Sequence, residues 1–447
     1  MRRRPKVHPG VAGLVLFVVL VAAAQFSVSL VAARRPSDAL ALVAGLVLLA
    51  TAVLYPRALL ILAPVASMFS QRVGPASLDL SVTDAVGLLA LLAGVRFIPW
   101  RNRQVRLVLG ALAVYLAALA VTLIVHHPQR SVLELFHRGV LFGGTVLIGV
   151  AIVQSGVVHH ALRLFMVGMA ALAAALIFES VRTGFQPAYV LQLQKNHSGI
   201  LMAIGFLVAL VATRQLAWSP RVITALRVLM LVGLAATQSR AAALGMVAAL
   251  AVRPLLGDQS RNQKATSIGI LLVCLVLLVF TAMSLQANDL SRPAAEQKFN
   301  SINSRTNVYE EAIQKVWLKN RFVGGGLKYF RDPARAFPTP HNIVIGELAE
   351  AGLIGLAGLT VLLVATAVAL KRARTDLAVL GMMAFVCRLT QGMADIYWVA
   401  GPLTIALLLV GMGLTPDPTD PAPDGPRGDD ITRKQTPSRL TPSRWSA

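Results

Sequence analysis

Long apolar runs alternate with short polar breaks along this chain almost from its start to position 414. The runs are Val11–Ala33, Ala39–Leu54, Ala58–Phe69, Val82–Ile98, Val105–Val125, Val140–Val153, Ala161–Phe178 and Gly199–Ala217. Two shorter stretches follow, Val222–Thr237 and Ala241–Leu256, hinged at Gln238-Ser239-Arg240, and then Ser267–Leu285, Ile343–Leu370, Leu377–Gln391 and Ile396–Leu414. Runs of this length, continuous and without period-two alternation, predict membrane-spanning α-helices and exclude a β-barrel. Fourteen segments result, and because several are short enough to be tilted, re-entrant or half-spans, about 12–14 transmembrane helices are expected. One polar stretch interrupts them at length, residues 286–341, and within it Ser301–Gly355 gathers Arg305, Tyr309, Trp317, Arg321, a triple glycine and His341 just before an apolar helix resumes.

Composition agrees with the pattern: 56% of residues are hydrophobic and 14% charged. The net charge of +22 would suggest nucleic acid in a soluble protein. Here the basic residues fall in alternate short loops, at Arg57, Arg101–Arg106, Arg214–Arg221, Arg253–Lys264 and Lys371–Arg374. That distribution obeys the positive-inside rule, puts the N-terminus (residues 1–10) in the cytoplasm, and places the loops 126–138, 179–198 and 286–341 on the outer face. The apolar stretch after MRRRPK is longer than a signal-peptide core and reads as an uncleaved first span. Cys274 and Cys387 lie in apolar runs and read as packing residues. Residues 415–447 hold seven prolines with equal numbers of acidic and basic groups, the composition of a disordered cytoplasmic tail, in which TPSR occurs twice.

Three features carry candidate chemistry. Thr339 and Pro340 suit the cap and first position of the helix that follows, which would set His341 in its first turn, where the helix dipole favours a neutral imidazole able to act as a base. The competing reading is a histidine that caps or packs at the interface. At 100° per residue Glu347 and Glu350 point away from it, so an orienting carboxylate would have to be Glu310, Glu311 or Asp395. Arg240, between two short apolar helices, is costly there unless paired or functional, and its chemistry suits a phosphate or carboxylate; snorkelling is the alternative. Lys195-Asn196-His197 and Arg305 are each ordinary loop polar groups, but with Arg240 they would form a basic cluster fit for an anion such as a lipid diphosphate. Gly324–Gly326 lack the strand and lysine of a nucleotide loop and need only make a tight turn. HExxH, a GxSxG elbow and spaced carboxylates are absent, so the sequence gives no ground for a metal or cofactor.

The SR pair at Ser239-Arg240, the helix from Arg305 through Trp317, the glycine turn and the segment PHNIVIGELAEAGLIGL together resemble the O-antigen ligase and Wzy-type polymerase superfamily, over roughly Gln194–Leu414. The resemblance implies a GT-C-like, metal-independent glycosyltransferase of the bacterial inner membrane. Such an enzyme moves a glycan from an undecaprenyl-diphosphate carrier to a hydroxyl acceptor on the outer face, in polysaccharide or cell-wall biosynthesis. It further implies that His341 is the base, that Arg240, Arg305 and Lys195 bind the diphosphate, and that Asn342, Asn196 and Tyr309 support them. Ligases, polymerases and protein O-oligosaccharyltransferases share these residues. The alternative from the residues alone is a transporter or flippase of anionic or lipid-linked substrates. It would need ionisable groups within the spans, which are poor in them apart from Arg388 and Glu179.

Overall fold

The computed structural model describes residues 53–69, 81–126, 129–191, 193–256, 301–331, 338–398 and 401–416, with single residues at 47, 50, 51, 269 and 272. The expected spans at 11–33 and 267–285, most of that at 39–54, and the tail beyond 416 lie outside the described residues. The protein is an all-α polytopic membrane protein. Its helices are α1 (Pro56–Ala66), α2 (Val82–Gly94), α3 (Arg103–His126), α4 (Gln129–Gly139), α5 (Thr145–Gln154), α6 (Val158–Arg182), α7 (Lys195–Val211), α8 (Pro220–Thr237), α9 (Arg240–Val252), α10 (Ser301–Glu311), α11 (Ile343–Ala373), α12 (Asp376–Gly392) and α13 (Pro402–Gly413). Five described segments are long and apolar enough to cross a membrane: α3, the run Ser131–Gln154, α6, α8 and α11.

The short apolar helices have another place. From His197 to Leu210 every residue of α7 is buried, and so is every residue of α13. A helix apolar on all sides has no solvent or lipid face to present and belongs in the interior. One apolar cluster surrounds α7 with α1, α6, α8 and α9, a second joins α3 to α11, and α12 and α13 contribute to both. Between such helices the attraction is close packing, which small residues permit. At Gly149 of α5 a β-carbon would fall inside the Leu408 carbonyl, and at Gly411 of α13 inside that of Val146, so these two backbones touch.

Two segments differ from expectation. The polar stretch 126–138 is helical from Gln129, and α4 runs through a π-helical turn, Val140–Gly144, into α5. Ser131, Glu134 and Arg138, at helical spacing, are all buried, so this face turns inward and the stretch is a helix end, not a loop. In α11, Gly352 stands at φ 67°, ψ −163°, which breaks the helix into two pieces. The backbone of the glycine turn closes that break. The Gly325 and Gly326 N–H groups donate to the Ala349 and Glu350 carbonyls, and the Leu353 and Ile354 N–H groups donate to the Arg321 and Phe322 carbonyls. A β-carbon on Gly324 would lie 2.5 Å from the carbonyl carbon of Glu350, so the turn needs glycine for close approach as well as for its positive φ.

Candidate active site

The hinge between α8 and α9 is a tight turn. Gln238 takes the left-handed conformation, and the Ser239 side chain caps α9 by accepting from the Ala242 N–H. Arg240 is therefore the first residue of α9, and it is exposed. Beside it α7 begins at Lys195. Gly199, one turn into α7, lets the two helix ends meet, since a β-carbon there would lie 2.5 Å from Cβ of Ser239. The Ser239 hydroxyl donates to Asn196 Oδ1 at 2.9 Å, which ties the hinge to the start of α7. Arg305 comes from α10. Burial, joined by the charges of Arg240 and Arg305, holds the Lys195 ammonium below its ordinary pKa. Arg240 and Arg305 thus each stand close enough for Lys195 to feel their charge, though the three residues come from elements far apart in sequence.

His341 lies near this group. Tyr309, one turn beyond Arg305, donates its hydroxyl to the His341 carbonyl at 2.9 Å. The expected capping by Thr339 and Pro340 is not what forms. Asn342 is extended and its Oδ1 accepts from the Val344 and Ile345 N–H groups, so α11 starts at Ile343 and His341 stands one residue before the cap. An amide oxygen reaching two free N–H groups outcompetes the single hydroxyl of Thr339. Asn342 also donates to the Met393 carbonyl at 3.0 Å, fixing the entry to α11 against the end of α12.

Of the three carboxylates weighed as partners, Asp395 faces the imidazole, with Nδ1 3.3 Å from Oδ1. Glu310 bonds Gln314 and Glu311 bonds Lys315 on the outside of the loop. Burial alone would raise the Asp395 carboxyl. The His341 hydrogen bond, the Arg388 charge and the Ile396 N–H together hold it below its ordinary value of 3.8.

Arg388 sits behind Asp395 and is 1% exposed. It donates to Gln391 Oε1 at 2.6 Å and to the carbonyls of Ile396 and Tyr397, with its guanidinium over the Tyr397 ring. Gln391 in turn donates to the Asn196 carbonyl at 3.0 Å. A continuous run of polar contacts therefore links the Ser239-Arg240 hinge, Asn196, Gln391, Arg388, the 395–397 turn and His341. Asn196 belongs to it through both its side chain and its carbonyl.

A second polar group was not anticipated. Arg138 is buried and donates to Glu134 at 3.0 Å, Glu347 at 2.9 Å and Glu350 at 2.6 Å, and to the Tyr115 hydroxyl at 2.9 Å. Its guanidinium lies 5.0 Å from the centre of the Trp398 ring, which stacks on Tyr115. As read from the helical wheel, Glu347 and Glu350 turn away from His341; Arg138 is what they turn toward. The spacing of Glu134 and Arg138 at i,i+4 was the one local signal for this group.

Residues 225–360 match a family model described as O-antigen ligase. The matched region runs from within α8 to the spanning half of α11 and includes Arg240, Arg305 and His341. The likeness over this stretch supports, in general terms, a membrane protein that ligates or polymerises glycans. No curated protein matches the chain.

Proposed function

We propose that the protein is a glycosyltransferase that moves a glycan from a polyprenyl-diphosphate carrier to a hydroxyl acceptor, with the reaction on the outer face of a bacterial inner membrane. The observation that carries this reading is the approach of Arg240 and Arg305 to Lys195, with the Arg305 helix tied through Tyr309 to the His341–Asp395 pair. Like charges brought near Lys195 cost energy that an incoming diphosphate would offset, and the N–H groups at the start of α9 favour the same anion. Asp395 accepts from Nδ1–H of His341, which leaves Nε2 as the proton acceptor.

In the transfer, Nε2 takes the proton of the acceptor hydroxyl as its oxygen bonds to the anomeric carbon. The bond from that carbon to the diphosphate breaks, and its electron pair leaves with the diphosphate, where the three cations stabilise the growing charge. Asn342 and Tyr309 hold the histidine's backbone, and Asn196 holds the arginine hinge. A positioned base contributes about 10²–10⁴-fold, so His341→Ala is expected to lose a factor of that order.

The test is a product gel with purified protein, a polyprenyl-diphosphate oligosaccharide and candidate acceptors. A ladder lost in His341→Ala identifies a polymerase, and a single shifted band lost in the same way identifies a ligase. Equal transfer by His341→Ala, or none by the native protein, refutes the reading.

A further inference from the structure

A cleft opens at the residues that flank His341 in the chain. Pro340 and Asn342, the histidine's two neighbours, form part of its wall, and so do Gly346, Glu350, Tyr397 and Trp398. Its charged lining residues are three carboxylates, Glu134, Glu347 and Glu350, and three cations, Arg138, Lys328 and Arg331. The match in number leaves no excess sign to attract an ion, in contrast to the Lys195–Arg240–Arg305 group. What the lining offers is hydrogen bonding. The Tyr397 hydroxyl and the Trp398 indole N–H belong to residues only 2% and 9% exposed, and among the described residues neither atom has a hydrogen-bond partner. Buried donors left unmet cost about 1–3 kcal/mol each, so they mark a place where a partner is missing. The carboxylates supply acceptors on the same walls. Donors and acceptors together, with no net charge, are the complement of an uncharged, hydroxyl-rich ligand.

The position of the cleft gives that ligand a role. Asp395 holds the imidazole, and the next three residues, Ile396 to Trp398, line the cleft. The cations reach the same turn from elsewhere, by way of Asn196, Gln391 and Arg388. Resting on the glycosyltransferase reading, we propose that this cleft is the acceptor subsite. It receives the uncharged saccharide end whose hydroxyl His341 deprotonates, with Tyr397 and Trp398 donating to sugar oxygens and Glu350 accepting from sugar hydroxyls.

Gly346 provides a test that spares the ion pairs. A β-carbon there meets nothing within 4 Å, so Gly346→Leu starts a side chain from open space on the wall of the cleft and suits a helix better than glycine. The full-length protein in lipid nanodiscs would be assayed with a polyprenyl-diphosphate tetrasaccharide as donor. The acceptors would be a panel of uncharged hexose and N-acetylhexosamine oligosaccharides. Gly346→Leu is expected to raise the acceptor KM at least about tenfold with the donor KM and melting temperature unchanged. Tyr397→Phe, which removes one hydroxyl, is expected to raise it about fivefold. An unchanged acceptor KM in Gly346→Leu, or a shift in the donor KM instead, overturns the assignment. If the native protein transfers nothing, the glycosyltransferase reading fails, and the cleft is then judged by binding alone. Saturation-transfer NMR with the same oligosaccharides should show binding that Gly346→Leu weakens. No binding, or binding only of an acidic oligogalacturonate, overturns the cleft as a site for uncharged sugar.

Discussion

Two arginine-bearing regions follow opposite plans. Arg138 is 3% exposed, held by three carboxylates and a tyrosine hydroxyl. Arg240 is exposed at the first turn of a helix, and it crowds Lys195 together with Arg305. In the first region the cost of burying charge is offset inside the fold. In the second, like charges are brought together by α7, α9 and α10, which other contacts hold in place. An arginine within or beside apolar helices is thus informative only with its neighbours: one is held by carboxylates inside the fold, the other stands exposed beside like charge.

The comparison can be broken by mutation. The largest effect is expected at Arg138. Arg138→Met leaves three carboxylates together in the interior, and removal of one partner from such a group costs about 3–5 kcal/mol. The yield of folded protein and the melting temperature in detergent should both fall sharply. Arg240→Ala should behave in the opposite way, melting within about 0.5 kcal/mol of the native protein. Its loss is in turnover: kcat/KM for the lipid-linked donor should fall about 10²–10³-fold, or about 2.7–4 kcal/mol. If instead Arg240→Ala unfolds and Arg138→Met melts normally, the division between the regions is wrong.

The smallest effect concerns Asp395. Its carboxyl is held below 3.8 in the folded protein, so its contribution to stability is complete above that value and is lost as pH falls through the folded pKa. Asp395→Asn should therefore lower the melting temperature at neutral pH by the worth of a charge-assisted hydrogen bond, about 1.5–3 kcal/mol. The gap to the native protein should close on acidification below 3.8. A gap that stays constant with pH would show that the carboxylate is not what holds the histidine.

Much of the helical plan was legible because hydropathy is local. Period and length are properties of a window, and so is the turn at Gln238-Ser239. The candidate residues Lys195, Arg240, Arg305 and His341 could be singled out one at a time, and the structure brings both arginines near Lys195. What escaped was whatever depends on distant partners. Arg138 and Glu347 are 209 residues apart, and nothing near either announces the pair. The polar groups of segment 126–138 suggest an exposed loop, whereas Ser131, Glu134 and Arg138 lie on one inward face. Thr339 suits the cap only if Asn342 is helical, and Asn342 is the cap instead. The break in α11 was hidden for a similar reason. ELAEAGLIGL has the composition of a continuous helix, and only the backbone of residues 321–326 makes a gap there tolerable.

That gap has a mechanical consequence. A spanning helix changes its tilt as the surrounding bilayer thickens or thins. Were α11 one rigid rod, each such change would swing the end that follows His341 and shift the imidazole against Asp395. At Gly352 the rod is jointed, and the piece beyond the joint is clasped by the glycine turn and by Asn342 at the end of α12. The same segment holds the first residues of the spanning piece, through the Leu353 and Ile354 N–H groups, so the two pieces meet at a splinted joint whose angle is set by residues 321–326 and not by the helix itself.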